Sequence, residues 1–392
     1  MTSNKRTSVA GSAADRLEAA RADGLDRFPA LVGFDGFVDA IIHVVGSRRS
    51  MDDDDFRRIS TIPEFAARCG GAAGKSTNIE LFVREERFGG NGPLMAGALG
   101  RLGMPVTFIG AVGEEDASDK VAEVFQPFAE RCREVIPVAS PGHTDALEFE
   151  DGKIMLGKPQ AVQAVTWQRL VERVGEDELR KRVEGAKLLG IVNWTLCGGV
   201  QGIWKGLREH VLPKIEPDPD RRLFVDLSDP AKRTDEDIRS ALEELGKLNE
   251  SVRVTLGLNR AEGERIARVL GLDAFDDAHN YPLGSVMRRG AAAIREELGL
   301  ACVVVHPREG AAAANAEHNA WFEGPFTSSP RLSTGAGDHF NGGFAFAQAL
   351  GLDLEQSLAA GTAVSGAYVR DAISPDLDRL IGFLRDLPAP ER

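Results

Sequence analysis

The sequence predicts a three-layer α/β/α domain with a mostly parallel central sheet and a small β-rich lid, and three observations carry that prediction. Short, almost wholly apolar runs recur at residues 30–32, 106–112, 188–192, 223–225, 252–256 and 301–305. Stretches rich in Ala, Leu, Glu and Arg separate them, at 93–102, 235–248, 261–270 and 284–298. Near the end of the chain a glycine-rich turn opens directly onto a long segment without helix breakers. Buried runs alternating with amphipathic segments are the signature of βαβ units packed as a parallel sheet between helices. Sheets of this kind hold ligands at the carboxyl ends of their strands.

A chain of 392 residues can hold one large α/β domain. A net charge of −13 argues against a sequence-independent nucleic-acid binder, which needs a basic surface to meet phosphates. It leaves room for an anionic nucleotide, because a few backbone N–H groups at a helix start can hold phosphate locally. The cysteines, Cys69, Cys132, Cys197 and Cys302, form no C-x-x-C pair, so neither a zinc site nor a disulfide framework is expected. With no apolar run of membrane-spanning length and no signal-like apolar core near the N-terminus, a cytoplasmic location is expected, without membrane partners.

Residues 1–27 read as a mobile tail leading into a short helix, 28–385 as the domain, and 386–392 as a second tail. Two excursions, at about 41–88 and 136–165, interrupt the βα rhythm and contain strand-like alternation, notably LEFEDGKIML at 147–156. They are expected to form the lid, with long surface loops as the competing interpretation. The aspartates of MDDDDF at 51–56 lack the spacing and turn glycine of a calcium loop and read as solvated.

The most informative stretch is LSTGAGDHFNGGF at 332–344. A glycine turn running into a helix aims several N–H groups, and the helix dipole, at one point. Asp338 in that first turn fits a helix cap. It fits equally a base that takes a proton from a hydroxyl attacking a phosphate held alongside.

This segment is similar to the G-A-G-D signature of the ribokinase-like (PfkB) carbohydrate and nucleoside kinases. The resemblance spans about residues 28–385 and rests on further motifs in the family's order. FGGNGPLMAGALGRLGM at 88–104 resembles the G-G-x-x-x-N block, with Leu94 in place of its asparagine and Asn91 as a substitute. GLNRAEGE at 257–264 resembles N-x-x-E. LVGFDGFVDAII at 31–42 resembles the first strand with its substrate aspartate, and FVDLSDPAKR at 224–233 the mid-chain aspartate. CVVVHPREG at 302–310 keeps only the last glycine of the usual nucleotide turn. Its V-H-P form, with G-G-N-G-P-L-M, resembles the ADP-dependent sugar kinases of the same fold.

The resemblance implies a ribokinase-like kinase that phosphorylates an alcohol group of a small sugar-like substrate. Asp338 would be the general base, with Gly335, Ala336 and Gly337 completing the anion hole. Asp39, or Asp35, would bind the substrate with Gly89, Gly90, Asn91 and Lys75. Nucleotide binding falls to Asn259, Glu262, His306, Arg308, Gly310 and Asp226, with Lys232 and Arg233 near phosphate. Asn259 and Glu262 would hold Mg2+ through water. ATP is the expected donor, with ADP the alternative. Residues 357–369 would pack beside the adenine or form core, and a homodimer through the lid is implied.

Two other functions fit the same fold. A nucleoside kinase would use Trp194 or Trp321 to stack a base, and a non-catalytic sugar or nucleotide sensor would explain the altered nucleotide turn. CGGAAGKST at 69–77 nearly spells a phosphate-binding P-loop but lacks the first glycine and a preceding buried strand.

Overall fold

The computed structural model describes residues 3–52, 54–114, 119–276 and 281–391; Asp53 of the acidic run and Glu115 and Asp116 lie outside them. The chain begins with α1 (Ser3–Ala22) and β1 (Ala30–Phe34), then leaves the main layer through β2 (Phe37–Arg48), β3 (Phe56–Arg58), α2 (Ile62–Gly70) and β4 (Leu81–Gly89). It returns through α3 (Asn91–Arg101), β5 (Val106–Gly110), α4 (Gln126–Ala129) and β6 (Glu134–Pro137), and departs again as the hairpin β7 (Gly142–Phe149) and β8 (Gly152–Lys158). After α5 (Trp167–Val174) and α6 (Glu176–Gly185) come β9 (Leu188–Val192), α7 (Val200–Gly206), β10 (Arg222–Asp226), α8 (Asp235–Asn249), β11 (Arg253–Leu258) and α9 (Arg260–Leu270). The rest is α10 (Leu283–Leu298), β12 (Cys302–Val305), β13 (Gly310–Asn315), β14 (Asn319–Glu323), α11 (Ala336–Ala349), α12 (Leu354–Asp371) and α13 (Leu377–Arg385).

The large sheet has the order β14-β13-β12-β11-β10-β9-β1-β5-β6. From β12 to β6 its pairings are parallel, and only β12-β13 and β13-β14 are antiparallel. Strands β1 and β9 are buried at every position, as parallel strands covered on both faces must be. Strand order reverses about β1, which makes the ends of β1 and β9 the topological switch point.

The second sheet joins β3-β2-β7-β8, with β4 also paired to β2, and forms the β-rich lid. Its own apolar cluster centres on Ile42, Val44, Ile59, Leu147 and Phe149, with Phe65 of α2 packed on it.

From Ser3 onward, the expected N-terminal tail is not loose. Ala10, Ala13, Ala14 and Leu17 of α1 are fully buried, at the i, i+3, i+4, i+7 spacing of one helix face packed against α12 and α13. The stripe escaped notice because alanines carry little hydrophobic signal. Arg6 fixes the end of this helix: its guanidinium donates to the carbonyls of Glu323 (2.8 Å), Pro388 (2.7 Å) and Leu387 (3.5 Å). The C-terminal segment is held too, since the Glu391 carboxylate accepts from Ser328 N and Oγ and Thr327 Oγ1.

Replacing Arg6 by Ala removes a charged donor from three carbonyls. It is expected to cost about 2 kcal/mol, read as a lower urea midpoint at unchanged m; an unchanged midpoint would show that the clasp contributes nothing.

Candidate active site

Polar residues collect at the carboxyl ends of the parallel strands. Asp35 follows β1, Asn193 follows β9, Asp226 ends β10, Asn259 follows β11 and His306 follows β12. Three of them or their neighbours, Asn193, Ser228 and Asp229, hold left-handed backbone with φ of 62°, 61° and 60°. Non-glycine residues in that region are strained and concentrate where geometry matters more than stability.

Asp35 is fully buried and organises the switch point. Its Oδ1 accepts from Gly92 N at 2.6 Å, and its Oδ2 from Asn91 N at 2.9 Å and Asn193 Nδ2 at 2.7 Å. The carboxylate therefore caps α3 from outside, supplying the anion that the positive helix end favours. Gly90 (φ 96°) precedes α3, and a side chain there would meet Asp35 Oδ2 at 3.0 Å. Burial is the main influence on the Asp35 carboxyl and pushes it up to about 6.

Asn91, the first residue of α3, carries the connection onward. Its Nδ2 donates to Asp338 Oδ1 at 2.7 Å, and its Oδ1 accepts from Ser228 Oγ at 2.9 Å. Asp338 lies in the first turn of α11, buried. Burial foremost, then the charge of Asp226, holds its carboxyl well above the usual carboxylate range; the Asn91 N–H pulls the other way.

The turn before Asp338 is shaped by close neighbours. Gly335 has φ 84° and no side-chain cap; Ala336 N donates to Ser333 O at 3.2 Å, while no side-chain cap takes the N–H groups of Gly337 and Asp338. A Cβ on Gly335 would lie 3.2 Å from Tyr368 Oη and 3.3 Å from Leu94 Cδ1, which shows where the leucine in place of the family's asparagine packs. Tyr368 Oη donates to Thr334 O at 2.8 Å, and its ring stacks on His339 at 3.5 Å. His339 is itself pinned between Gly335 O (2.8 Å) and Ser374 Oγ (2.7 Å).

On the far side of Asp338, Asp226 Oδ1 accepts from Ser228 N at 2.7 Å and Oδ2 from Asn341 Nδ2 at 2.6 Å. Asn259 and Glu262 form a capping box on α9: Asn259 Oδ1 accepts from Glu262 N, and Glu262 Oε2 from Asn259 N. Glu262 Oε1 reaches across to Asp229 N at 2.9 Å, which joins β10 to α9. Burial and then the Asp226 charge push the Glu262 carboxyl up to about 7. Two buried atoms here, His306 Nε2 and Asn341 Oδ1, have no protein partner. The His306 ring lies 4.5 Å from that of Phe340, and its Cε1 would be 3.6 Å from a Cβ on Gly337.

The fold thus joins Asp338, Asn91, Asp35, Asp226, Asn259 and Glu262, with Gly335, Ala336, Gly337 and Gly90 shaping the backbone and His306 alongside. Asp39 lies beside this group on β2, its carboxylate so close over Gly89 that a Cβ there would be 2.3 Å from Oδ2. Other expected residues stand apart. Lys75 is on an exposed bend beyond α2, and the P-loop-like stretch begins at the end of that helix, so its amides cannot converge as at a helix start. Arg308 is exposed. Gly310 is explained by packing, because a Cβ would be 2.3 Å from Phe322 O. Lys232 pairs with Asp229, and Arg233 lies over the buried Trp194 ring at 4.5 Å, which removes that ring as a stacking platform. Residues 357–369 belong largely to the core of α12.

Asn193, Ser228, Asn341, His339 and Tyr368 are the site residues that sequence reasoning missed. Asn341 had a signal, lying three residues after Asp338 and hence on the same helix face. Asn193 and Ser228 are brought in by the sheet, whereas His339 follows Asp338 on α11 and Tyr368 arrives through the packing of α12 on α11.

A family model described as prokaryotic ketohexokinase matches residues 10–387. A ketohexokinase of Haloferax volcanii is 32% identical over 375 residues, covering 95% of this chain and 94% of its own. A mutant of phosphofructokinase-2 from Escherichia coli superposes with a TM-score of 0.62 at 16% identity, over 92% of this chain and 99% of that one. Ribokinase from Arabidopsis thaliana, solved with ribose and ATP, superposes with a TM-score of 0.60 at 15% identity, over 92% and 99%. These structures share the fold. The chain belongs to the prokaryotic ketohexokinase family and is a carbohydrate kinase of ribokinase-like fold, a phosphotransferase with an alcohol group as acceptor.

Proposed function

We propose that the protein phosphorylates a ketohexose, taking the phosphoryl group from ATP and using Asp338 as general base. One observation carries this: a buried carboxylate in the first turn of a glycine-opened helix, oriented by a single amide from Asn91. Burial makes Asp338 a stronger base than a surface carboxylate, so it accepts the acceptor hydroxyl's proton as the oxygen attacks phosphorus. The early N–H groups of α11, with Gly335, Ala336 and Gly337 leaving the approach open, stabilise charge spreading over the phosphoryl oxygens. Asp39 takes sugar hydroxyls, and Gly89 and Gly90 let the ring approach the backbone. The ketohexose acceptor is supported by the name of the Haloferax relative, and the loss of Trp194 as a stacking surface weighs against a nucleoside.

His306 presents an unpaired ring nitrogen beside the turn, held neutral because burial lowers it to about 4, and suits a nucleotide contact. No group of three metal-ligating side chains occurs among the described residues, so an all-protein magnesium cage does not fit. A hydrated ion fits better: Asp226 and Glu262 crowd like charges, and Asp226, Glu262 and Asn259 would hold it through water. When bound, it supplies positive charge against the phosphate oxygens. The lid sheet leaves Leu81, Val83, Met155 and Leu156 41–48% exposed, which supports a homodimer there. Four free cysteines suit a cytoplasmic location.

A screen of ATP and ADP against fructose, aldoses and nucleosides is expected to give turnover with ATP and fructose; turnover with nucleosides alone, or binding without turnover throughout, would overturn the assignment. Asp338→Asn is expected to fold and bind nucleotide while kcat falls by a factor of about 100 to 10,000. Because Asp338 must be ionised and is shifted upward, kcat/KM should fall as pH drops through a value above the ordinary carboxylate range; an acid limb inside that range would exclude Asp338 as its source.

Asp226 gives a stability test. Burial foremost, with the Asp35 charge, raises it to about 6 in the folded state from 3.8. The folded form therefore binds the proton more tightly, and stability is lost as pH rises from about 4 through about 6. Asp226→Asn abolishes that loss, and with the Asn341 amide turned over its new N–H donates to Asn341 Oδ1, which has no partner in the parent. The variant should exceed the parent at pH 8 by on the order of 2 kcal/mol in urea unfolding, and the gap should close near pH 4; equal pH profiles would refute it.

A further inference from the structure

We propose that Ser228 is a positioning residue whose hydroxyl fixes which end of the Asn91 amide faces Asp338. The geometry is a chain of three contacts. Ser228 N donates to Asp226 Oδ1 at 2.7 Å, Ser228 Oγ donates to Asn91 Oδ1 at 2.9 Å, and Asn91 Nδ2 donates to Asp338 Oδ1 at 2.7 Å. Nothing in the sequence marks Ser228, yet it is held at φ 61°, a strained conformation for serine.

A primary amide has one donating and one accepting end. The Asn91 backbone is anchored by Asp35, so the remaining freedom of its side chain is rotation that exchanges Oδ1 and Nδ2. Oδ1 needs a donor, and the Ser228 hydroxyl, which can donate or accept, donates to it here. With it present, Nδ2 is left to face Asp338, where an N–H favours the carboxylate over the acid. Without it, the amide can turn its oxygen toward Asp338, a contact that only a protonated carboxyl can satisfy.

The surroundings make this contact decisive. The charges of Asp226 at the end of β10 and Asp35 after β1 act on Asp338, and the neutral Tyr368 hydroxyl of α12 feels its charge; His306 stands beside Gly337, and His339 follows Asp338 on α11. Burial keeps both histidines uncharged near neutrality, at about 4. The two aspartates oppose ionisation of Asp338, and the Asn91 N–H is the side-chain contact that favours it. Ser228 thereby links the carboxylate group on β10 and α9 to the protonation state of the base, given Asp338 in that role as proposed above.

The test compares Ser228→Ala with Ser228→Gly. Both delete the hydroxyl and keep the N–H to Asp226, but only glycine relieves the left-handed strain. Both are expected to lower kcat with ATP and fructose about tenfold while KM for fructose changes less than about threefold. Both should move the acid limb of kcat/KM to higher pH. Thermal unfolding should place the glycine variant at or above the alanine variant, so that a kinetic loss is not a folding loss. Carboxyl carbon NMR of ligand-free protein, with the Asp338 signal assigned by Asp338→Asn, should show Asp338 titrating at higher pH in both variants. Should Ser228→Ala unfold, the glycine variant carries the test. An Asp338 titration and acid limb unchanged from the parent overturn the role of Ser228, whatever happens to kcat. Retained turnover in Asp338→Asn overturns the base assignment instead, and the NMR titration still judges Ser228.

Discussion

The site depends on one buried carboxylate that plays no part in the proposed proton transfer. Asp35 gives its oxygens to two amides at the start of α3 and to the Asn193 side chain, so a single group locks β1, β9 and α3 together. A buried ion without such donors would be costly or would take up a proton. Asn91 inherits its position from this arrangement, and Asp338 inherits its orientation from Asn91. The left-handed backbone at Asn193 and Ser228 is sustained by the same network, since each of these residues bonds a carboxylate.

The electrostatics follow from how much acid is packed into little space. Asp35, Asp226, Glu262 and Asp338 are each raised by burial first, and three of them further by a neighbouring carboxylate. Such a collection is poorly stabilised alone and well matched to a ligand that brings positive charge. The unpaired ring nitrogen of His306 and carbonyl oxygen of Asn341 add to this picture of a surface built for something it must bind.

Much of the fold was legible along the chain, because parallel strands buried on both faces leave unmistakable apolar runs. All six runs became strands of the large sheet. Asp338 was legible for a similar reason: its glycine turn and helix are contiguous in sequence. Asn91 could be named only by resemblance, and its bond to Ser228 not at all, because Ser228 lies 137 positions away and is serine-like in every local respect. Surface charge was less informative: Lys75, expected at the substrate, and Arg308, expected at the nucleotide, are exposed, and Arg233, expected near phosphate, lies over the Trp194 ring, placements fixed by tertiary packing. The alanine face of α1 was hidden because small side chains bury completely while contributing little apolar character.

The clasp made by Arg6 has a consequence for synthesis. Its acceptors sit on residues 323, 387 and 388, and the helix it terminates packs on α12 and α13. In synthesis α1 is made long before the segments that cover its alanine face, since its bond to Glu323 alone spans 317 positions. The packing of α1 therefore waits for α12 and α13, and until they are made its alanine face has no cover from them.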